Sequence, residues 1–238
     1  DNLYRIIGVF GDKVKLIKAD YATSALLGGD GDFRGKYSDD TSNYKGNNLA
    51  NVAVYNWNET GQNTWSLSNL NQTNLNQNFI TNIGADWAAK IAETTWKVGG
   101  NTWANIGTQP AKTAYQNEIV SPVTTNTTDG KTECSAKIGL MYASDYGFAA
   151  AQSAWTANLN TYNGEAIKNV NWMYMGLSEW TISRDAGYAY GVLHVNGAGS
   201  LGSNYASSAF GVRPVFSLTS SVNYVSGSGS AADPISIN

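Results

Sequence analysis

Apolar and polar residues alternate at the start of the chain. Tyr4-Arg-Ile-Ile-Gly-Val-Phe10 and Val14-Lys-Leu-Ile-Lys18 flank Gly11-Asp12, a pattern that predicts a β-hairpin. Residues 28–48, with Gly28-Gly-Asp-Gly-Asp32 and Asp39-Asp40, read as a turn-rich surface loop. The period then lengthens: Leu67, Leu70, Leu75, Phe79 and Ile83 fall mostly on one helical stripe, with Ser66 or Ser68 as N-cap and Gly84 as stop. A second amphipathic piece covers Asp86–Ala92. Residues 99–135, rich in Thr and Asn, read as loop. Lys137–Tyr142 is a strand candidate, and Ser144-Asp145 caps a helix running through Ala149–Ala151 to Trp155. From Trp172 onward the pattern is β: Glu179–Ser183, Gly191–Val195 and Gly211–Leu218 are strands, and the tail from Ser226 is polar until Ile235-Ser-Ile237. Two or three helices between strands at both ends predict one α+β domain over 1–238.

Composition narrows the functional classes. Of 238 residues only 14% are charged while 12% are aromatic, and Asn slightly outnumbers the 25 Gly. The surface is thus polar through amides, hydroxyls and glycine, and disorder is excluded by the aromatic content. A net charge of −3 with scattered Lys and Arg gives nucleic acid nothing to bind. No apolar run reaches the ~18 residues of a membrane span. The sequence opens at Asp1 without Met and is read as a mature or trimmed chain whose signal or anchor lies upstream. Cys134, the single cysteine, cannot form an internal disulfide, and its readings are an inert small residue or an intermolecular bond.

Four segments carry a resemblance: Glu179-Trp-Thr-Ile-Ser-Arg184, Phe210-Gly-Val-Arg-Pro-Val-Phe-Ser-Leu218, Lys137–Gly147 and Tyr4-Arg-Ile-Ile-Gly8. They resemble bacterial surface proteins with a C-type lectin-like fold. The resemblance implies a looped α+β domain with paired terminal strands, an extracellular or cell-surface address, and a fold shared with retroelement-diversified binding proteins. In those proteins the segment before the final strand displays the ligand-contacting side chains. The matching interval is 185–209, and the candidate ligand-binding residues are Tyr188, Tyr190, His194, Asn196, Ser203, Asn204, Tyr205 and Ser207. Tyrosine offers area with few rotors to freeze, and small polar residues adapt their hydrogen bonds.

Chemistry tied to other members of that fold lacks its residues here. Gln109-Pro110 is followed by Ala111 and no Trp-Asn-Asp occurs, so the calcium-lectin triplet is absent. A lone Cys134 excludes the paired-cysteine chemistry of the sulfatase-activating oxidases. No Gly-x-Ser-x-Gly elbow sits near a strand–helix junction to serve a triad with His194. Glu179 and Asp185 as a glycosidase pair are a remote reading. His194 is a ligand contact or, more plainly, a semi-exposed strand residue. Asp145 is a cleft acid or, more simply, a helix cap. Arg213, Arg184 and Trp180 are assigned to structure, Arg213 because a guanidinium in an apolar run needs several acceptors. The expectation is a non-enzymatic module, without metal or cofactor, that binds a protein or glycan. The alternative is a self-assembling, homo-oligomeric subunit of a pilus-like filament or surface layer.

Overall fold

The computed structural model describes residues 3–106 and 108–238; the reading of the chain's start at Asp1 lies outside them. The architecture is α+β with sheet dominating. Strands β1 (Tyr4–Phe10) and β2 (Lys13–Lys18) form the expected hairpin around Gly11, which takes φ +64° at the turn. Ile7 is a bulge residue in β1. Short helix α1 (Ser24–Leu27) leads to β3 (Phe33–Lys36) and β4 (Ala53–Asn56), which pair antiparallel. The segment 28–48 is therefore not wholly loop. Its Asp32 serves the frame: it is buried and accepts the Leu70 and Glu59 backbone N–H groups at 3.0 Å each.

The helical stripe after Trp65 folds as predicted in place but not in pitch. Leu70–Phe79 is a π-helix continuing into α2 (Ile80–Asn82). Ser68 Oγ accepts the Asn71 N–H at 3.0 Å, and Gly84 ends the run at φ +93°. The asparagines explain the wide turn. Asn74 Nδ2 donates to Leu27 O and Asp30 O, and Asn76 both donates to and accepts from the Ile138 backbone. The neighbouring chain thus holds side chains that a narrower helix would turn elsewhere.

Helix α3 (Ala85–Lys90) precedes β5 (Thr94–Lys97) and β6 (Gly100–Asn101). The expected loop 99–135 instead holds β6, α4 (Trp103–Ile106), α5 (Ala111–Tyr115) with a π-turn extension at Gln116–Val120, and part of β7 (Glu133–Ala136). These pieces are too short to leave a periodic trace. Of Lys137–Tyr142 only β8 (Ile138–Gly139) is strand, and α6 covers Ala143–Phe148 rather than reaching Trp155. Asp145 Oδ2 accepts the Tyr142 N–H at 2.9 Å, which closes the α6 N-terminus.

Helix α7 (Glu165–Lys168) is followed by β9 (Glu179–Asp185), β10 (Gly191–Val195) and β11 (Leu201–Tyr205). The predicted strand Gly211–Leu218 is split into β12 (Ala209–Gly211) and β13 (Val215–Ser217). Pro214 lacks an N–H, and Arg213 turns inward, so the run changes sheets there. The tail pairs β14 (Tyr224–Ser226) with β15 (Ser236–Ile237).

Two main sheets result, in the orders β1-β2-β13-β8 and β11-β10-β9-β12-β4-β3, with β6 also on β9 and a separate β5-β7 pair. The pairing of β13 with β2, Val215 opposite Ile17, closes the two ends of the fold on each other as expected. One buried cluster, including Ile17, Trp57, Trp180 and Phe216, runs behind both sheets. In place of the two or three expected helices, the described residues form seven short α-helices and two π-segments. No helix among the described residues is long and apolar enough to cross a membrane.

Candidate functional site

Every residue of β9 and β10 is buried, so the chain leaves the core only at the turn between them. That turn carries Tyr188 and Tyr190. The β10–β11 register, Gly191 opposite Tyr205, places Tyr205 beside them. The Tyr188 and Tyr190 rings lie 5.9 Å apart at 33°, and Tyr190 and Tyr205 lie 5.7 Å apart at 31°. The three side chains are 57%, 48% and 62% exposed, and none of their hydroxyls bonds to a described residue. Ser207 is exposed next to them and Asn204 is half-buried.

The backbone beneath this ladder is fixed from below. The Asn63 side chain is fully buried, and its Nδ2 lies 2.9, 2.7 and 2.8 Å from the carbonyls of Asp185, Tyr188 and Gly191. Its backbone N–H donates to Ala189 O at 2.7 Å. Ala206 N–H donates to Tyr190 O, while the Trp57 and Asn58 N–H groups both donate to Ala206 O. Asp185 accepts Gly187 N–H at 2.8 Å and Ser203 Oγ–H at 2.7 Å. Thr125 and Asn126 side chains donate to Ala186 O at 3.1 and 2.7 Å. The tyrosines therefore stand on a turn that is ordered without ligand, which lowers the entropic cost of binding.

The eight candidate residues divide. Tyr188, Tyr190, Tyr205 and Ser207 share the exposed surface, with Asn204 at its margin; Asn204 Oδ1 accepts the Tyr205 N–H and the Ser208 hydroxyl. Ser203 is taken up by its bond to Asp185. Asn196 sits at the far end of the β10–β11 hairpin, where its Oδ1 accepts the N–H groups of Ala198, Gly199 and Ser200 and builds the turn.

His194 is neither a contact nor semi-exposed. Its ring stacks on Phe210 at 4.7 Å and meets the Trp180 edge at 6.1 Å, and it is only 8% exposed. Alternation put it on one face of β10 correctly, but both faces of that strand are covered. Burial lowers its pKa from 6.5 to about 4, so the ring is neutral at physiological pH.

The residues assigned to structure make dense internal bonds. Arg213 Nε and Nη2 donate to the two Glu179 carboxylate oxygens at 2.7 Å each, and Nη2 also donates to Met173 O. Burial works to lower the Arg213 pKa, and the Glu179 carboxylate outweighs it. Arg184 donates to the carbonyls of Thr125, Val123 and Val98, tying the 98–125 segment to β9. Trp180 Nε1 donates to Tyr55 O at 2.8 Å. Glu179 and Asp185 are thus occupied by Arg213 and Ser203. Asn63, missed in the sequence, carries no local signal, because its three acceptors come from residues more than a hundred positions away.

A family model described as a domain of unknown function, DUF6273, matches residues 46–220. No curated protein and no solved structure matches the chain. The matched span takes in the tyrosine turn, Asn63 beneath it and the Glu179–Arg213 pair behind it, and the chain belongs to the DUF6273 family.

Proposed function

We propose that this chain is a non-enzymatic binding module of C-type lectin-like fold, working outside the cell or on its surface, that recognises a protein or glycan through Tyr188, Tyr190, Tyr205 and Ser207. The observation that carries this reading is the ladder: three adjacent, half-exposed tyrosines with free hydroxyls on a turn fixed by buried bonds. Such rings offer flat apolar area with a polar tip, a combination suited to neutral polar ligands. The pairing of β2 with β13 and the resembling segments support the fold assignment. The test is a labelled-protein screen on glycan and extracellular-protein arrays. Hits that vanish with Tyr188→Ala and Tyr205→Ala support the reading, and hits that survive both reject it.

A second reading, a self-assembling filament or surface-layer subunit, is favoured by one feature. Strand β1 is a sheet edge with Ile6, Val9 and Phe10 50%, 68% and 53% exposed, and open apolar edges are templates for further pairing. Light scattering that rises with concentration, and is suppressed by Val9→Lys, would establish it.

A further inference from the structure

A cleft elsewhere on the molecule shares no residue with the tyrosine ladder. It measures about 310 Å³ and opens between β1, the α5 end, α6 and Trp172. Pockets that hold small molecules begin at roughly this size. Four of its walls are aromatic: Phe10, Tyr115, Phe148 and Trp172. Two of these rings and the Trp172 backbone are held in place. Tyr115 meets Phe148 edge-on at 6.4 Å, Phe148 meets Trp155 edge-on at 5.2 Å, and Arg5 Nη1 donates to Trp172 O at 3.1 Å.

The one charged group on the lining is Asp145, whose side chain is 10% exposed. Its Oδ2 is engaged twice, by Lys15 Nζ at 2.6 Å and by the Tyr142 N–H at 2.9 Å. Its Oδ1 takes no hydrogen bond from any described residue, and Asp145 lines the cleft. Lys15 is itself buried, 4.7 Å from the Tyr142 ring centroid and 5.5 Å from that of Phe10. The ion pair cancels the site's net charge, which leaves a strong acceptor in an apolar room without attraction for ions.

We infer that this cleft binds a small uncharged ring compound bearing one hydroxyl, of the phenol class, with its ring among the aromatic walls and its O–H donating to Asp145 Oδ1. Hydrogen bonds to a charged acceptor are stronger than those between neutral groups, so the hydroxyl is expected to improve affinity about tenfold or more.

The experiment titrates the whole chain with p-cresol, toluene and benzylammonium by ligand-observed NMR. p-Cresol is expected to bind at least tenfold tighter than toluene and no more weakly than benzylammonium. Tyr115→Ala, which removes one partly exposed wall, should weaken p-cresol at least fivefold. Asp145→Asn should shrink the difference between p-cresol and toluene. If that variant fails to fold, the wild-type comparison and Tyr115→Ala still decide. Equal binding of toluene, tenfold tighter binding of benzylammonium, indifference to Tyr115→Ala, or no binding of p-cresol up to its solubility would each overturn the inference. Tyr188→Ala should change none of these values, which separates the cleft from the ladder.

Discussion

Tyr146 and Tyr205 are the same residue put to opposite uses. Tyr146 is fully buried and its hydroxyl donates to Gly199 O at 2.6 Å; Tyr21, Tyr55 and Tyr162 likewise donate to Leu177 O, Gly28 O and Gly147 O. Burial raises their pKa values, that of Tyr162 to about 12, so they stay protonated donors. Tyr205, with Tyr188 and Tyr190, keeps its ring half in solvent and its hydroxyl free. The buried set is consumed by the fold and the exposed set is not. Burying a hydroxyl without a partner costs free energy, so a buried tyrosine has its partner chosen by the fold. An exposed one has its partner in solvent, free to be exchanged for a ligand. Tyr4, whose buried hydroxyl has no partner among the described residues, is the exception on the interior side.

The largest expected effect tests whether the polar groups behind the ladder are bound into the fold as firmly as this contrast requires. Glu179→Ala strands a fully buried guanidinium and should destabilise by about 3–5 kcal/mol in chemical denaturation. A loss below about 1 kcal/mol, the scale of an ordinary surface ion pair, would mean the pair is not holding β9 to Arg213.

Next in size is a pH effect. The folded His194 pKa of about 4 lies below its ordinary 6.5, so its stability contribution is complete above pH 6.5 and is lost as pH falls toward 4, by about 3 kcal/mol. Glu118, fully buried and held by Asn101 Nδ2 and the Ser144 N–H, is raised by burial from 4.5 to about 7. Its contribution is complete below pH 4.5 and lost as pH rises through 7. The two slopes oppose each other in one window. Glu118→Gln should therefore unmask a stability that climbs between pH 4.5 and 6.5, and His194→Phe should leave one that declines there. Denaturant midpoints across that range decide; identical profiles for both variants would contradict the burial argument.

Smaller still is the direct tyrosine comparison. Tyr146→Phe leaves the buried Gly199 carbonyl without its donor and should cost about 1–3 kcal/mol, whereas Tyr205→Phe should change stability by less than about 0.5 kcal/mol. Equal losses would erase the distinction on which the site assignment rests.

Much of this frame is legible in the residues. The opening hairpin, β9 and β10 follow from alternation and turn residues, and the return of β13 beside β2 is what the resemblance implies. Four of the surface residues, Tyr188, Tyr190, Tyr205 and Ser207, lie in the interval that the resemblance marks. What alternation does not carry is burial on both faces: Val192 and His194 lie on one side of β10, and that side is as covered as the other. Nor does it carry which polar residues are spent on the fold. Ser203 is separated from Ser207 by its place in β11 beside Asp185, and Asn63 finds its acceptors in a distant part of the chain. The π-helix escapes notice because its width is set by asparagine bonds to distant backbone rather than by its own apolar spacing.

The most direct measurement is an equilibrium titration of the strongest array hit against the wild type and a Tyr188→Ala/Tyr190→Ala/Tyr205→Ala variant, with thermal unfolding of both in parallel. The account predicts a loss of affinity of more than about tenfold, as for truncated aromatic anchors, with melting temperatures nearly unchanged. An unchanged Kd in a variant that melts like the wild type would contradict it.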